Sequence, residues 1–160
     1  MAKLSKAAFV ERGYGQVEPN HLSAQRTGQI YAQLPAVETI DVLENGQFVK
    51  YDYMNGQVNF AGAGEWMLVF NEVKVYENHH GDADFAMSGA GMVPRVFKTN
   101  VGDIFTTNCV DAESLSLGDV LTPDEATGLL KVGTGDMQWQ VVKVYTLADR
   151  QKAVKIMRIA

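Results

Sequence analysis

Cysteine is nearly absent from this chain of 160 residues, in which Cys109 is the only one. A single thiol excludes an internal disulfide and any metal site built from several cysteine thiolates. The residues around it, 107–110, have the pattern of a strand end, where a lone cysteine is usually a small packed apolar residue. The sequence therefore predicts a buried Cys109, with a reactive thiol as the minor alternative.

Long apolar runs are also missing. No segment approaches the roughly 20 apolar residues of a membrane-spanning helix, and residues 1–6 lack the apolar stretch of a signal peptide. The expectation is a protein made in the cytosol, and kept or assembled there, without membrane contact. Hydrophobic residues make up 46% and charged residues 21% of the composition, which is ordinary for one compact globular domain.

An excess of basic residues is absent as well. Lys and Arg number 14 against 19 Asp and Glu, which gives a net charge of -5, and the basic residues are scattered along the chain. A nucleic-acid phosphate backbone would be repelled overall by such a chain. Direct nucleic-acid binding is therefore not expected.

One short phrase is present three times, at residues 46–52, 102–108 and 118–124. It consists of a glycine, a polar residue, two apolar residues, two mixed residues, and then Asp or Asn. The first and third copies continue to a second glycine, a tryptophan and a closing Val-Lys-Val-Tyr. These extended copies predict an internal duplication of one β unit.

Apolar residues from Gly28 onward recur with a period of two. Segments of about 4–8 β-branched and aromatic residues are bounded by Gly, Asn and Asp, which is typical of strands. The pairs at 45–46 and 55–56 are both Asn-Gly, the strongest hairpin signals here, and the strands around them are predicted to pair as a meander. Roughly ten or eleven short strands predict an all-β fold, a compact β-barrel or β-sandwich over residues 27–160.

Residues 1–26 differ in kind from the rest, because they are polar and carry only a short stretch of helical spacing. One interpretation is a frayed terminus. The other is an extended N-terminal arm that orders against a neighbouring subunit, since a disordered tail seldom carries Phe9, Val10, Tyr14 and Leu22. These four side chains are the predicted partner-binding residues of the arm.

One long insertion, residues 77–92, has no counterpart in the third copy of the phrase. It contains His79, His80, Asp82 and Asp84, the densest set of potential metal ligands in the chain. Adjacent histidines on a strand point to opposite faces, and no third histidine is near. The prediction is an exposed polar loop without an assigned metal, and a bound ion is the alternative.

Sequence patterns of catalysis are missing too. There is no Gly-x-Ser-x-Gly elbow and no cysteine near a histidine in sequence, so no catalytic residue and no cofactor are assigned. Trp66 and Trp139 are predicted to lie in the core rather than to form a platform for a sugar or a base. Several aspartates flank glycines, where an Asp side chain usually caps its own backbone: Asp52, Asp103, Asp119, Asp124 and Asp136.

The phrases at 46–52 and 118–124, the latter with Gly-Leu-Leu-Lys-Val at 128–132, are similar in style to the capsid decoration (head-stabilising) proteins of tailed bacteriophages. The resemblance covers roughly residues 27–160 and carries over no functional residues. It implies a non-enzymatic virion protein, assembled in the host cytoplasm, that binds the outside of the capsid and stabilises it. The implied partners are the major capsid protein and further copies of the chain, as a homo-oligomer such as a trimer.

Two other classes remain open. A tail, baseplate or collar component of a phage would be built from the same kind of short strands in a small β-barrel. A cupin-like or sugar-binding β-barrel would instead need polar groups that converge in a pocket, with a metal near His79 and His80.

Overall fold

A computed structural model describes residues 9, 15–23, 33–71, 87–88, 93–148 and 150–160. Every regular element in these residues is a β-strand, which confirms the predicted all-β class. No helix of this part of the chain is long and apolar enough to cross a membrane. The strands are β1 (Val17–His21), β2 (Val42–Leu43), β3 (Phe48–Asp52), β4 (Gln57–Asn59), β5 (Trp66–Val69), β6 (Met87–Ser88), β7 (Val96–Phe97), β8 (Ile104–Thr107), β9 (Val110–Asp111), β10 (Val120–Pro123), β11 (Leu130–Val132), β12 (Trp139–Thr146) and β13 (Lys152–Arg158).

These strands form three sheets. A seven-stranded sheet has the order β1-β8-β13-β12-β10-β11-β9, a four-stranded sheet has the order β4-β3-β5-β7, and β2 pairs with β6. All pairs are antiparallel except β9 with β11, which run parallel. The last strand, β13, lies between β8 and β12, so the carboxyl-terminal segment sits inside the large sheet.

The two extended copies of the repeated phrase have the same strand topology. In each copy a first strand, β3 or β10, pairs on one side with the next strand and on the other with the strand that begins at the tryptophan. The hairpins share one register, because Lys50 pairs with Asn59 just as Thr122 pairs with Lys131. The predicted duplication is therefore confirmed in the geometry of the strands.

All three copies begin with a turn of the same construction, at residues 44–47, 100–103 and 116–119. The third residue of each is a glycine with a positive φ, of 97°, 95° and 89° respectively. The N–H of the fourth residue donates to the carbonyl of the first, at 3.1, 3.0 and 3.2 Å. The side chain of the fourth residue accepts a hydrogen bond from the N–H of the first, at 2.6, 3.0 and 2.7 Å. The repeated phrase therefore encodes a turn that leads into a strand.

The prediction of a hairpin at Asn45-Gly46 is wrong, whereas the hairpin at Asn55-Gly56 is confirmed. β2 pairs with β6, and β3 pairs with β4 and β5. Neither Asn-Gly pair forms a primed turn, because in each pair only the glycine has a positive φ, and the turn at 44–47 does not bring β2 and β3 together. The turn instead meets the end of β5, where the Gly46 N–H donates to the carbonyl of Val69 at 3.0 Å.

The four-stranded sheet lies between two apolar clusters. One face contributes Phe48, Leu68 and Phe97 to the larger cluster, which it shares with the seven-stranded sheet. The other face contributes residues such as Val49 and Met67 to a smaller cluster, which residues 34–43 complete. Alternation along these strands thus covers both faces of the sheet, as expected of a central layer.

Both tryptophans are core residues, as predicted. Trp139 is fully buried, with ring centroids 4.9 Å from Phe105 and 5.8 Å from Phe48. Trp66 is 4% exposed and belongs to the same cluster. Cys109 is also fully buried, as predicted, and burial raises the pKa of its thiol, with a smaller contribution from nearby Glu44.

The glycine of the β10–β11 turn allows a close contact between the two repeats. Gly128 has a φ of 68°, and a Cβ there would lie 2.4 Å from the carbonyl oxygen of Phe48. Gly118 has a φ of 89° with nothing within 4 Å of a Cβ. We expect Gly118→Ala to cost about 1–2 kcal/mol, from left-handed backbone strain alone. Gly128→Ala should cost at least about 3 kcal/mol, because the contact adds to the strain.

Urea unfolding of the two variants measures this difference. Equal losses of stability would contradict the close approach of Gly128 to the backbone of Phe48.

Candidate functional site

The described part of the predicted arm is joined to the domain. Phe9 and Leu22 are 2% and 3% exposed and belong to the large core cluster. β1 pairs with β8 at the end of the seven-stranded sheet. Val10 and Tyr14 lie outside the described residues. In this structure Phe9 and Leu22 thus pack in the chain's own core.

The N-terminal segment enters the domain over a buried carboxyl group. The Gly15 N–H donates to Oε2 of Glu44 at 3.4 Å, and the Gln16 N–H donates to Oδ1 of Asn108 at 2.6 Å. The approach is close, because a Cβ on Gly15 would lie 2.2 Å from the carbonyl oxygen of Asn45. Glycine at this position lets the segment lie directly against the turn at 44–47.

Glu44 is fully buried beneath this segment. Its Oε1 has no hydrogen-bond partner among the described residues. Burial raises the pKa of Glu44 to about 7, and the hydrogen bond from Gly15 offsets part of that increase. The charge state of this carboxyl group therefore changes near neutral pH, which gives the contact with the N-terminal segment a pH dependence.

Four of the predicted turn-capping aspartates are confirmed. Asp103 and Asp119 accept hydrogen bonds from backbone N–H groups in their own turns. Asp52 accepts from the N–H groups of Met54 and Asn55, and the hydrogen bond from the Asn55 side chain is the largest factor that lowers its pKa. In the equivalent turn of the other repeat, Asp124 accepts from the Lys131 ammonium at 2.6 Å and from the backbone N–H of Ala126, and both lower the pKa of that carboxyl group, Lys131 more strongly.

A cleft of about 680 Å³ lies between the two repeats. Its lining includes Trp66, Asp124, Glu125, Lys131 and Asp136. The carboxylate of Asp124 is already engaged by Lys131. Part of the charge in the cleft is therefore neutralised internally.

One buried lysine connects the repeats beside this cleft. The Lys50 ammonium lies 2.9 Å from Oε1 of Glu125, donates to the carbonyl of Gly62 at 3.0 Å and sits 4.7 Å from the centroid of the Trp66 ring. The Lys50 side chain is 6% exposed, whereas that of Glu125 is 64% exposed. The lysine thus carries a buried positive charge with three partners, which is a structural arrangement.

Replacement of this lysine tests its structural role. Lys50→Met keeps the volume but removes every polar contact of the ammonium, and we expect a loss of about 1–3 kcal/mol. The loss of stability stays moderate because the Glu125 carboxylate is 64% exposed and stays hydrated without its lysine partner. The control is Lys98→Met, which breaks an exposed ion pair with Glu65 at 3.2 Å and should cost less than about 1 kcal/mol. Thermal unfolding measures both, and equal effects would contradict the structural role of Lys50.

The four residues of the predicted His-Asp loop lie outside the described residues. They are His79, His80, Asp82 and Asp84. Within the described ranges, no group of three or more His, Cys, Asp or Glu side chains could hold a metal ion.

Exposed apolar side chains form two surfaces that the sequence patterns do not predict. The first, here called the hairpin tip, is the β3–β4 connection, where Tyr53 is 62% and Met54 is 93% exposed. The second, here called the β12 edge, comprises Leu117, Val142 and Val144, which are 71%, 38% and 42% exposed. The alternating pattern of β12 predicts a strand with one buried face, so nothing in the sequence distinguished its exposed half.

The β12 edge is a consequence of unequal strand lengths. β10 pairs with β12 only at Gln140 and Trp139, and the turn at 116–119 adds one more pair of hydrogen bonds, at Val141. β12 continues to Thr146 along β13. On the side away from β13, no described strand pairs with residues 142–146.

Comparison with known proteins adds no relative, since no family model, curated protein or solved structure matches the chain.

Proposed function

We propose that this chain is a structural, non-enzymatic virion protein that binds the outside of a phage capsid and stabilises it. The proposal rests on one observation: acidic side chains are hydrogen-bonded within turns, whereas large apolar side chains are exposed on the surface. Asp52, Asp103, Asp119 and Asp124 are committed to turns, while large apolar side chains stand exposed at the hairpin tip and the β12 edge. Exposed apolar surface of this kind favours protein contacts.

The major capsid protein is the proposed partner, on the basis of the resemblance of the repeated phrase. The hairpin tip is the proposed contact with the shell, because Tyr53 and Met54 project from a turn that Asp52 holds through three hydrogen bonds. A rigid turn presents these side chains with little loss of conformational entropy on binding.

Co-sedimentation with purified capsids that lack decoration tests the proposal. The full-length protein should sediment with expanded capsids, and Met54→Asp should weaken binding by about tenfold or more, equal to 1.4 kcal/mol. Val132→Asp, at another exposed position on β11, is the control and should bind normally.

The arms of this experiment separate function from contact site. No binding of the wild-type protein would overturn the capsid function. Equal binding of Met54→Asp would place the contact elsewhere on the protein. Binding to purified tails instead of capsids would favour the tail, baseplate or collar alternative.

A further inference from the structure

We infer that the β12 edge joins a second copy of this chain, by antiparallel pairing of residues 142–146 about a twofold axis at Val144. The inference rests on the proposed function, because the resemblance to capsid decoration proteins implies a homo-oligomer. It is tested on the free protein, so its failure would leave capsid binding untouched.

The backbone of β12 is arranged for such a pairing. The Leu147 N–H donates to the carbonyl of Gln151 at 2.8 Å. Because hydrogen-bonded positions alternate along an antiparallel pair, Tyr145 and Lys143 direct their backbone groups toward β13, and Val144 and Thr146 direct theirs away from it. The outer edge of this half-strand thus offers donors and acceptors to another strand.

One alignment of two copies suits the side chains best. A twofold axis at Val144 places Lys143 opposite the partner's Tyr145, and a cation beside an aromatic ring is a favourable pair. The same two residues already adopt this arrangement within one chain, with the ammonium of Lys143 5.3 Å from the Tyr145 ring centroid. An axis at Lys143 would instead place two ammonium groups opposite each other, which is unfavourable.

The tyrosine in this pair is held in position by its own chain. The Tyr145 hydroxyl donates to Oε2 of Glu18 at 2.6 Å and lies 2.8 Å from Oγ1 of Thr106. Burial is the main cause that raises the pKa of Tyr145, and the hydrogen bond to Glu18 adds to it. The ring is therefore fixed on one face of the sheet before a partner arrives.

The other face of the half-strand explains why a partner would be favoured. Val144 pairs with Val154, which is fully buried, yet Val144 itself is 42% exposed. Val142 is the extra residue of a β-bulge, between the pairs of Val141 and Lys143. The core-side apolar stripe thus runs past the end of the core, and a second copy would cover it with the same stripe.

Cysteine cross-linking of the full chain tests the axis. Val144→Cys places two thiols directly opposite each other, with about 5.5 Å between Cα atoms, which matches disulfide geometry. The native Cys109 is fully buried and does not compete. Under mild oxidation Val144→Cys should run mainly as a dimer on a non-reducing gel. The matched control Val132→Cys, 58% exposed on β11, should remain monomeric.

A second variant checks the association without new thiols. Sedimentation analysis of the wild-type protein should show a concentration-dependent dimer, and Val144→Lys should weaken it by about tenfold or more. Unchanged association of Val144→Lys, or equal cross-linking of the two cysteine variants, would overturn the proposed interface. A wild-type protein that stays monomeric, with no cross-linked Val144→Cys, would overturn it as well.

Discussion

Replacement of Glu44 by glutamine is expected to stabilise the protein at pH 8 by up to about 3 kcal/mol. The side chain is fully buried, and its pKa rises from 4.5 to about 7 on folding. Each unit of such a shift corresponds to about 1.4 kcal/mol. Above pH 7 the folded protein must bury a carboxylate, whereas the glutamine variant buries a neutral amide of similar shape.

The direction of the pH dependence follows from the same shift. Because the folded protein binds this proton more tightly than the unfolded chain, the contribution of Glu44 to the free energy of unfolding is largest below pH 4.5. It falls as the pH rises from 4.5 to about 7 and stays low above that. The difference in stability between Glu44→Gln and the wild-type protein should therefore grow across this range and then level off.

Urea unfolding at pH 4.5, 6 and 8 measures this difference. Comparison with Glu44→Gln isolates the buried group from the aspartates with lowered pKa values, whose contributions are the same in both proteins. Glu38 is exposed, so Glu38→Gln is the matched control and should change stability by less than about 0.5 kcal/mol at every pH. A constant difference between Glu44→Gln and the wild-type protein would contradict a buried, protonated Glu44.

Leu22→Ala is expected to destabilise the protein by about 2–5 kcal/mol, although the sequence assigns Leu22 to an arm. The side chain is 3% exposed and packs in the large core cluster, so truncation would leave a cavity between the N-terminal segment and the sheet. Val101→Ala is the control, because Val101 is 67% exposed and lies in neither proposed contact surface. It should change stability by less than about 0.5 kcal/mol.

Unfolding experiments on the free protein distinguish a core residue from a partner anchor. A Leu22→Ala variant as stable as the wild-type protein, but unable to bind capsids, would show that Leu22 acts on a partner. A variant that is destabilised and binds capsids when folded would show that it acts within the chain. The burial of Leu22, together with the proposed function, predicts the second outcome.

Much of the turn chemistry of this fold could be predicted from local sequence, although the hairpin predicted at Asn45-Gly46 is not formed. The three phrases give three turns of one design, because Gly46, Gly102 and Gly118 supply the positive φ and the following side chain caps the turn. Those interactions span only a few residues, so sequence order contains them. The matching strand pairs of the two extended copies follow from the same local rules.

The identity of the exposed side chains depends on pairing between strands that are distant in sequence. Local sequence patterns do not reveal this pairing. β13 sits between β8 and β12, and β1 adds to β8 from more than 80 positions away, as the Thr106 contact with Asn20 also shows. The position of these strands decides that Leu22 is buried and that Val144 is exposed. A polar N-terminal segment is equally compatible with an exposed Leu22, and a Val-Lys-Val-Tyr strand is equally compatible with a buried Val144.

The charge state of Glu44 was equally hidden in the sequence. Glu44 begins a turn two residues before a glycine, where an acidic residue is ordinarily exposed. In the folded chain its carboxyl group meets Gly15, which approaches from 29 positions earlier in the sequence. Only the folded arrangement of these two segments raises its pKa.

The proposed capsid-stabilising function is tested by whether the added protein makes a phage shell more resistant to heat. Expanded capsids that contain DNA but lack decoration would be heated with and without the purified full-length protein, and DNA release would be followed with an intercalating dye. We expect release at a higher temperature with the wild-type protein, and a smaller shift with Met54→Asp. An unchanged release temperature at saturating protein would contradict the proposed function.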